Sequence, residues 1–169
     1  MDKKRLFLAL WPDDRQRNTL RDTFRPLLST VEGKMTDRRN WHVTLVFIGE
    51  FDAELVPELL VKIAQVDVQP FRLRFDRLSY FTRPKIACLQ AMTVPDELKQ
   101  LKTDLEALLL PYNVLPENLE YRPHITAARQ ARPFEPVRLA RPLELQWSSF
   151  EAVESISMPG NLQYRPLKQ

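Results

Sequence analysis

Trp41-His42-Val43-Thr44-Leu45-Val46-Phe47-Ile48, closed by Gly49, is the stretch from which the fold can be read. β-Branched and aromatic residues dominate it and a glycine follows, so it predicts a strand. An echo, His124-Ile125-Thr126-Ala127, begins about half a chain later and runs on to Arg129. These two segments hold both histidines of the chain. Successive side chains on a strand point to opposite faces. His42 therefore shares a face with Thr44, and His124 with Thr126. Val43 and Leu45, or Ile125 and Ala127, then turn into a core behind them.

Working outward, Leu6 to Leu10 predicts a buried strand, being an apolar run too short for a helix. Pro12 in a first turn, followed by Asp13 and Asp14, predicts a helix start. Leu20, Phe24, Leu27, Leu28 and Val31 mark its inner face, and Pro26 predicts a kink or early stop. A second helix is expected over 52–65, with Leu55, Leu59, Leu60 and Ile63 inward and Pro57 weakening its first turn. Phe71, Leu73 and Phe75 alternate with Arg72 and Arg74 as a half-buried strand, and 86–91 reads as another. Leu98, Leu101, Leu105, Leu108 and Leu109 line one face of a helix over 95–110, after which Pro111 and Pro116 bracket a loop. Leu143, Leu145 and Trp147 alternate with Glu144 and Gln146, and 150–158 is expected as the hairpin partner of that strand. Each half thus carries strands, an amphipathic helix and one histidine motif. The expectation is an α+β chain forming one domain over 1–169. Its two similar lobes have helices outside antiparallel sheets and a central cleft between the motifs.

The chain has 169 residues and a net charge of +3, with 25 basic residues against 22 acidic ones. Such mild basicity suits an anionic substrate and excludes a histone-like binder. A single cysteine, Cys88, forms no internal disulfide and is too little for a zinc site, so a packed thiol in a reducing compartment is expected. The apolar run 6–11 is short and ends at Pro12-Asp13-Asp14, which predicts neither a signal peptide nor a membrane span. The cytoplasm is the expected location.

Histidine is the side chain whose ordinary pKa lies inside the physiological range. One neutral and one protonated imidazole on opposite sides of a phosphate suit an in-line displacement, each transfer contributing about 10²–10⁴-fold. The hydroxyls of Thr44 and Thr126 supply donors for the charge on the nonbridging oxygens. Arg129 adds a forked cationic donor, although strict alternation places it on the face opposite His124, so a bulge or strand end must swing it back. Which histidine is the base stays open. Two merely structural histidines are the bland alternative. A metal centre lacks a third ligand near either motif, and no metal or other cofactor is expected.

The paired motifs resemble the 2H phosphoesterase superfamily, and within it the bacterial RNA 2′,3′-cyclic phosphodiesterases, long called 2′-5′ RNA ligases. Arg5 to Leu10 is similar to the first strand of that family, Asn40 to Glu50 to its first motif, Arg122 to Arg129 to its second, and Tyr164 to Leu167 to its ending. The resemblance implies a bilobal fold with pseudo-twofold symmetry and metal-independent hydrolysis of an RNA 2′,3′-cyclic phosphate to a 2′-phosphate, with reverse 2′-5′ ligation as a further activity. It makes His42 and His124 catalytic, and gives Thr44, Thr126 and Arg129 to the phosphate. The partner is then a cyclic-ended or 2′-5′-linked RNA, acted on by a monomer. Trp41 and Ala127-Ala128 depart from the usual residues and are expected to alter pocket shape. Two other readings stand beside this one. The first is a non-catalytic RNA-end binding module that stacks bases on Trp11, Trp41, Tyr80 or Phe81. The second is a phosphodiesterase for a small cyclic nucleotide.

Overall fold

In the computed structural model, which describes residues 2–168, all five residues from Leu6 to Leu10 are buried. They belong to strand β1 (Lys3–Leu10), which has a neighbour on each side and is covered on both faces. That double burial is why the run is continuously apolar. Leu6, Leu8 and Leu10 join a large core with Leu20 and Phe24 of helix α1 (Asp14–Leu27), Leu59 of α2 (Val56–Ala64) and Leu98 and Leu105 of α3 (Asp96–Leu109). The alternate residues Phe7 and Ala9 pack on the other face against Val153, beside Trp11 and Tyr164. Helices therefore cover one face, and the cleft opens on the other.

Eight of the strands lie side by side, all antiparallel. Their order is β7 (Val137–Trp147), β4 (Phe71–Phe81), β5 (Ile86–Gln90), β6 (His124–Arg129), β3 (Val43–Asp52), β1, β8 (Glu151–Met158) and β9 (Asn161–Leu167). The order reads alike from the middle outwards. The units β1–α1–β3 and β5–α3–β6 are each a strand, a helix and a histidine-bearing strand that returns beside the first. β3 and β6 meet through one pair, Val43 with Ile125. They then diverge, and the two-residue strand β2 (Lys34–Met35) fills the wedge beside β6. β7 and β8 stand near opposite ends of this order, yet only residues 148–150 connect them. So short a link spans at most about 14 Å, so the sheet must curl its distant strands towards each other.

Several local expectations change in instructive ways. Pro12 lies outside α1, and Asp13 caps that helix in a reciprocal pair with Gln16 (2.7 and 2.9 Å). Pro26 falls in the last turn, where α1 gives way to a tighter turn over Leu28–Thr30. Gly49 does not end its strand. Its φ of +84° sits at a register shift, where Leu6 faces Gly49 but Phe7 faces Phe47, so the chain bulges and continues to Asp52. Strand 150–158 is not the partner of 143–147. Residues Phe71–Phe75 of β4 pair with β7, and β8 lies between β1 and β9. Alternation shows which face is buried but not which neighbour a strand takes.

Ile125 is fully buried behind the β3–β6 junction. Ile125→Ala should cost about 2–5 kcal/mol in urea unfolding, whereas Met35→Ala, at 47% exposure, should stay within about 0.5 kcal/mol.

Candidate active site

The Val43–Ile125 pair sets the geometry of the site. In antiparallel register, the residues flanking a pair face each other crosswise. Thr44 is thereby aligned with His124, and Thr126 with His42. Val43 and Ile125 are both fully buried, so the four polar side chains project from the opposite face, around a local twofold axis. All four are half-buried, reachable yet partly shielded from water.

Each imidazole is oriented by the carbonyl two residues before it. His42 Nδ1–H donates to the Asn40 carbonyl oxygen at 2.8 Å, and His124 Nδ1–H to that of Arg122 at 2.7 Å. A carbonyl accepts only, so in each neutral ring Nδ1 carries the proton and Nε2 is the free base. His42 Nε2 accepts from the Thr44 hydroxyl at 2.8 Å. The two carbonyls make the motifs equivalent in tautomer as well as in place.

Their surroundings differ. Phe7 (4.8 Å between ring centroids), Tyr164 (5.2 Å, edge-on) and Trp11 (6.1 Å, stacked) enclose His42. Burial pushes its pKa down to about 4, against the opposing effect of the Asn40 bond; the charges of His124 and Arg17 push the same way. His124 has the Phe81 ring edge-on at 4.9 Å, and the Arg122 guanidinium lies 4.1 Å from the centre of that ring. Burial lowers the His124 pKa too, the bond to the Arg122 carbonyl opposes it, and the Arg122 charge adds to the lowering. Burial thus biases both rings towards the neutral form, and a bound anion would favour protonation of either.

Other bonds fix these segments across the fold. Arg17 of α1 is buried and donates to the carbonyls of Arg38 (2.6 Å) and Trp41 (3.2 Å), bracing the approach to His42. The Asn40 side chain donates to the Leu162 carbonyl (2.8 Å) and accepts from the Tyr164 N–H (3.2 Å), tying β9 to the first motif. Tyr121 donates to the Thr44 carbonyl (2.8 Å) and Lys102 to that of Leu45 (3.0 Å).

Arg129 reaches the cleft face through a bulge. Cys88 faces Thr126 but Ala87 faces Ala128, so one extra residue enters β6 and the burial sequence 125–128 ends on two buried alanines. Strict alternation is broken there, and Arg129 returns to the side of His124. It lines a groove of about 450 Å³ with Lys34, Gln130, Ser157, Asn161 and Leu162. A second groove, about 460 Å³, lies against Thr44, His124, Phe81, Arg122 and Lys102. Among the described residues no cluster of His, Cys, Asp or Glu has the makings of a metal site, and no helix is long and apolar enough to cross a membrane.

Trp41 and the alanine pair line neither groove. Trp41 is buried against Phe24, and Ala127 and Ala128 are buried as well. Of the candidate stacking rings, Tyr80 packs against Phe134, while Trp11 and Phe81 lie against the histidines. Reading the sequence left Asn40, Arg17, Phe7 and Tyr164 without a role. Asn40 and Arg122 act on the rings through backbone carbonyls, which any residue type supplies. Tyr164 comes from a strand more than a hundred positions away.

Residues 10–88 match the family model described as LigT like Phosphoesterase. An RNA 2′,3′-cyclic phosphodiesterase of Aeropyrum pernix is 29% identical over 102 residues, which span 59% of this chain but only 58% of that relative. One of Escherichia coli is 28% identical over 141 residues, 81% of this chain and 78% of the relative. The crystal structure of E. coli LigT complexed with 3′-AMP superposes with a TM-score of 0.80 at 25% identity, covering 99% of this chain and 97% of that one. The α+β fold with its antiparallel sheet is that of LigT.

The depressed His42 pKa carries a stability consequence with a definite sign. Unfolding releases a ring that binds a proton near pH 6.5, whereas the folded ring binds it only near pH 4. The unfolded chain therefore gains protons first as pH falls, so His42 destabilises the fold progressively between those values and has no effect above them. Urea unfolding at pH 7 and 4.5 should show the wild type losing more stability than His42→Asn, by on the order of 1–2 kcal/mol. Equal losses would show that the ring is not held neutral.

Proposed function

We propose that this chain, LigT-like in sequence and in fold, hydrolyses the 2′,3′-cyclic phosphate at an RNA end to a 2′-phosphomonoester. The observation that carries this reading is the twofold quartet of two outward Nε2 atoms and two hydroxyls around one sheet pair. A phosphate seated over that pair has an imidazole on each flank, the arrangement needed for in-line displacement at phosphorus. Thr44, Thr126 and Arg129 bind the nonbridging oxygens and stabilise the charge that builds there.

His42 is enclosed by three rings and is the imidazole that stays neutral; it removes the proton from the attacking water. His124 is protonated as the anion binds and delivers that proton to the departing 3′ oxygen. The bond between phosphorus and O3′ breaks, the bond to the water oxygen forms, and the 2′ ester remains. The same groups serve 2′-5′ joining when an RNA 5′-hydroxyl replaces water as the attacking nucleophile and O3′ again departs. The protein acts as a monomer on RNA, as one domain and in the cytoplasm, where its buried lone thiol fits a reducing milieu.

Purified protein should open a cyclic-ended oligonucleotide in the presence of chelator and yield the 2′-phosphate. His42→Ala and His124→Ala should each lower kcat/KM by about 10²–10⁴-fold, and Thr44→Ala or Thr126→Ala by about 10²-fold. The rate should follow a bell-shaped pH profile, because one ring must be neutral and the other charged. Full turnover by either histidine variant, or the 3′-phosphate as sole product, would contradict the mechanism.

A further inference from the structure

The two grooves, one at His124 and one at Arg129, differ in the charges that line them. The groove at His124 mixes both signs, with Glu106, Glu117 and Glu120 beside Arg83, Lys102 and Arg122. The one at Arg129 is lined by Lys34 and Arg129, and among the described residues no carboxylate lines it. Lys34 and Arg129 are direct cross-strand partners in the β2–β6 ladder. Like charges directly opposite one another are unfavourable in a sheet, and among the described residues neither side chain has an ion-pair partner. Glu32, two positions before Lys34, is engaged by Arg132 at 3.1 Å.

The backbone enforces this apposition. The Thr36 N–H bonds the Ala127 carbonyl and the Arg132 N–H bonds the Glu32 carbonyl, both at 2.9 Å, so β2 is locked to β6 on either side of Lys34. At Gly33 an added Cβ would lie 2.9 Å from the Arg129 carbonyl oxygen and 3.0 Å from Ala131 Cα. That approach demands glycine. A fixed pair of cations with no carboxylate in its groove, next to a phosphate site, is arranged for a second anion.

We propose that this groove is the path by which the RNA strand leaves the site, with Lys34 neutralising a phosphodiester on the 5′ side of the terminal nucleotide. The inference rests on the RNA-end reading above. It makes the groove at His124, with its carboxylates and the Phe81 ring, the side away from the running strand. It also makes an oligonucleotide a better substrate than a mononucleotide, through binding and not through the chemical step.

Steady-state kinetics of wild type, K34E, K34A and K34R on a cyclic-ended oligonucleotide and on a nucleoside 2′,3′-cyclic monophosphate test it. K34A should raise KM for the oligonucleotide severalfold with kcat unchanged, K34E should raise it about 10-fold, and K34R should retain the wild-type value. Kinetics of K34A and K34R on the mononucleotide should not move, whereas the carboxylate of K34E faces Arg129 and that variant is compared on the oligonucleotide alone. The salt dependence of oligonucleotide KM should lose about 0.7 of a log–log slope unit in K34A, one phosphate contact on a single strand. An unchanged oligonucleotide KM in K34A, or equal changes for both substrates in K34A, would overturn the proposal. Turnover of neither substrate by the wild type would instead be a failure of the hydrolytic reading. In that event, anisotropy with a 2′-phosphate-ended oligonucleotide reads the groove directly: weaker binding by K34A supports it and equal binding refutes it.

Discussion

One contact between two strands organises this molecule. Val43 and Ile125 are the pair through which β3 and β6 meet, and the polar residues on either side of each inherit their positions from it. The pair is fully buried, so burial itself turns the histidines and threonines towards the cleft. A slip of one residue in either strand would send an imidazole into the core and bring an aliphatic side chain out. The stability of the hydrophobic layer and the geometry of the site are therefore the same constraint.

The symmetry of that junction is broken by what lies over it. Three rings close around His42 and one lies against His124. Two histidines that share a tautomer and a sheet position thus acquire different tendencies to bind a proton. The grooves continue this asymmetry, one with carboxylates and cations mixed in its wall and the other with cations as its only charges. A near-symmetric scaffold that binds a symmetric group, phosphate, gains direction from these flanks.

Much of this could be read from the residues because strand periodicity and burial leave a direct trace. The alternation around His42 and His124 located both motifs, and the need for a bulge before Arg129 is met at Ala127-Ala128. What stayed hidden depends on tertiary choice. Nothing in 150–158 says that it crosses to β1 instead of pairing with 143–147, since both segments simply need one face covered. β2 has only two residues, both exposed, and so no pattern to detect, although it carries Lys34. Trp41 looked like a pocket residue beside His42, yet it packs on Phe24. Gly49 read as a strand end because a bulge glycine and a terminating glycine look alike in sequence.

The account turns on two imidazoles sharing one anion, and the chain offers a clean reporter because it contains only two histidines. The direct measurement is a side-chain ¹⁵N–¹H NMR titration of both rings with a nucleoside 2′-monophosphate. The account predicts that His42 and His124 shift together along one binding isotherm, and that both pKa values rise in the complex. A ligand that perturbs one ring and leaves the other at its free position would contradict it.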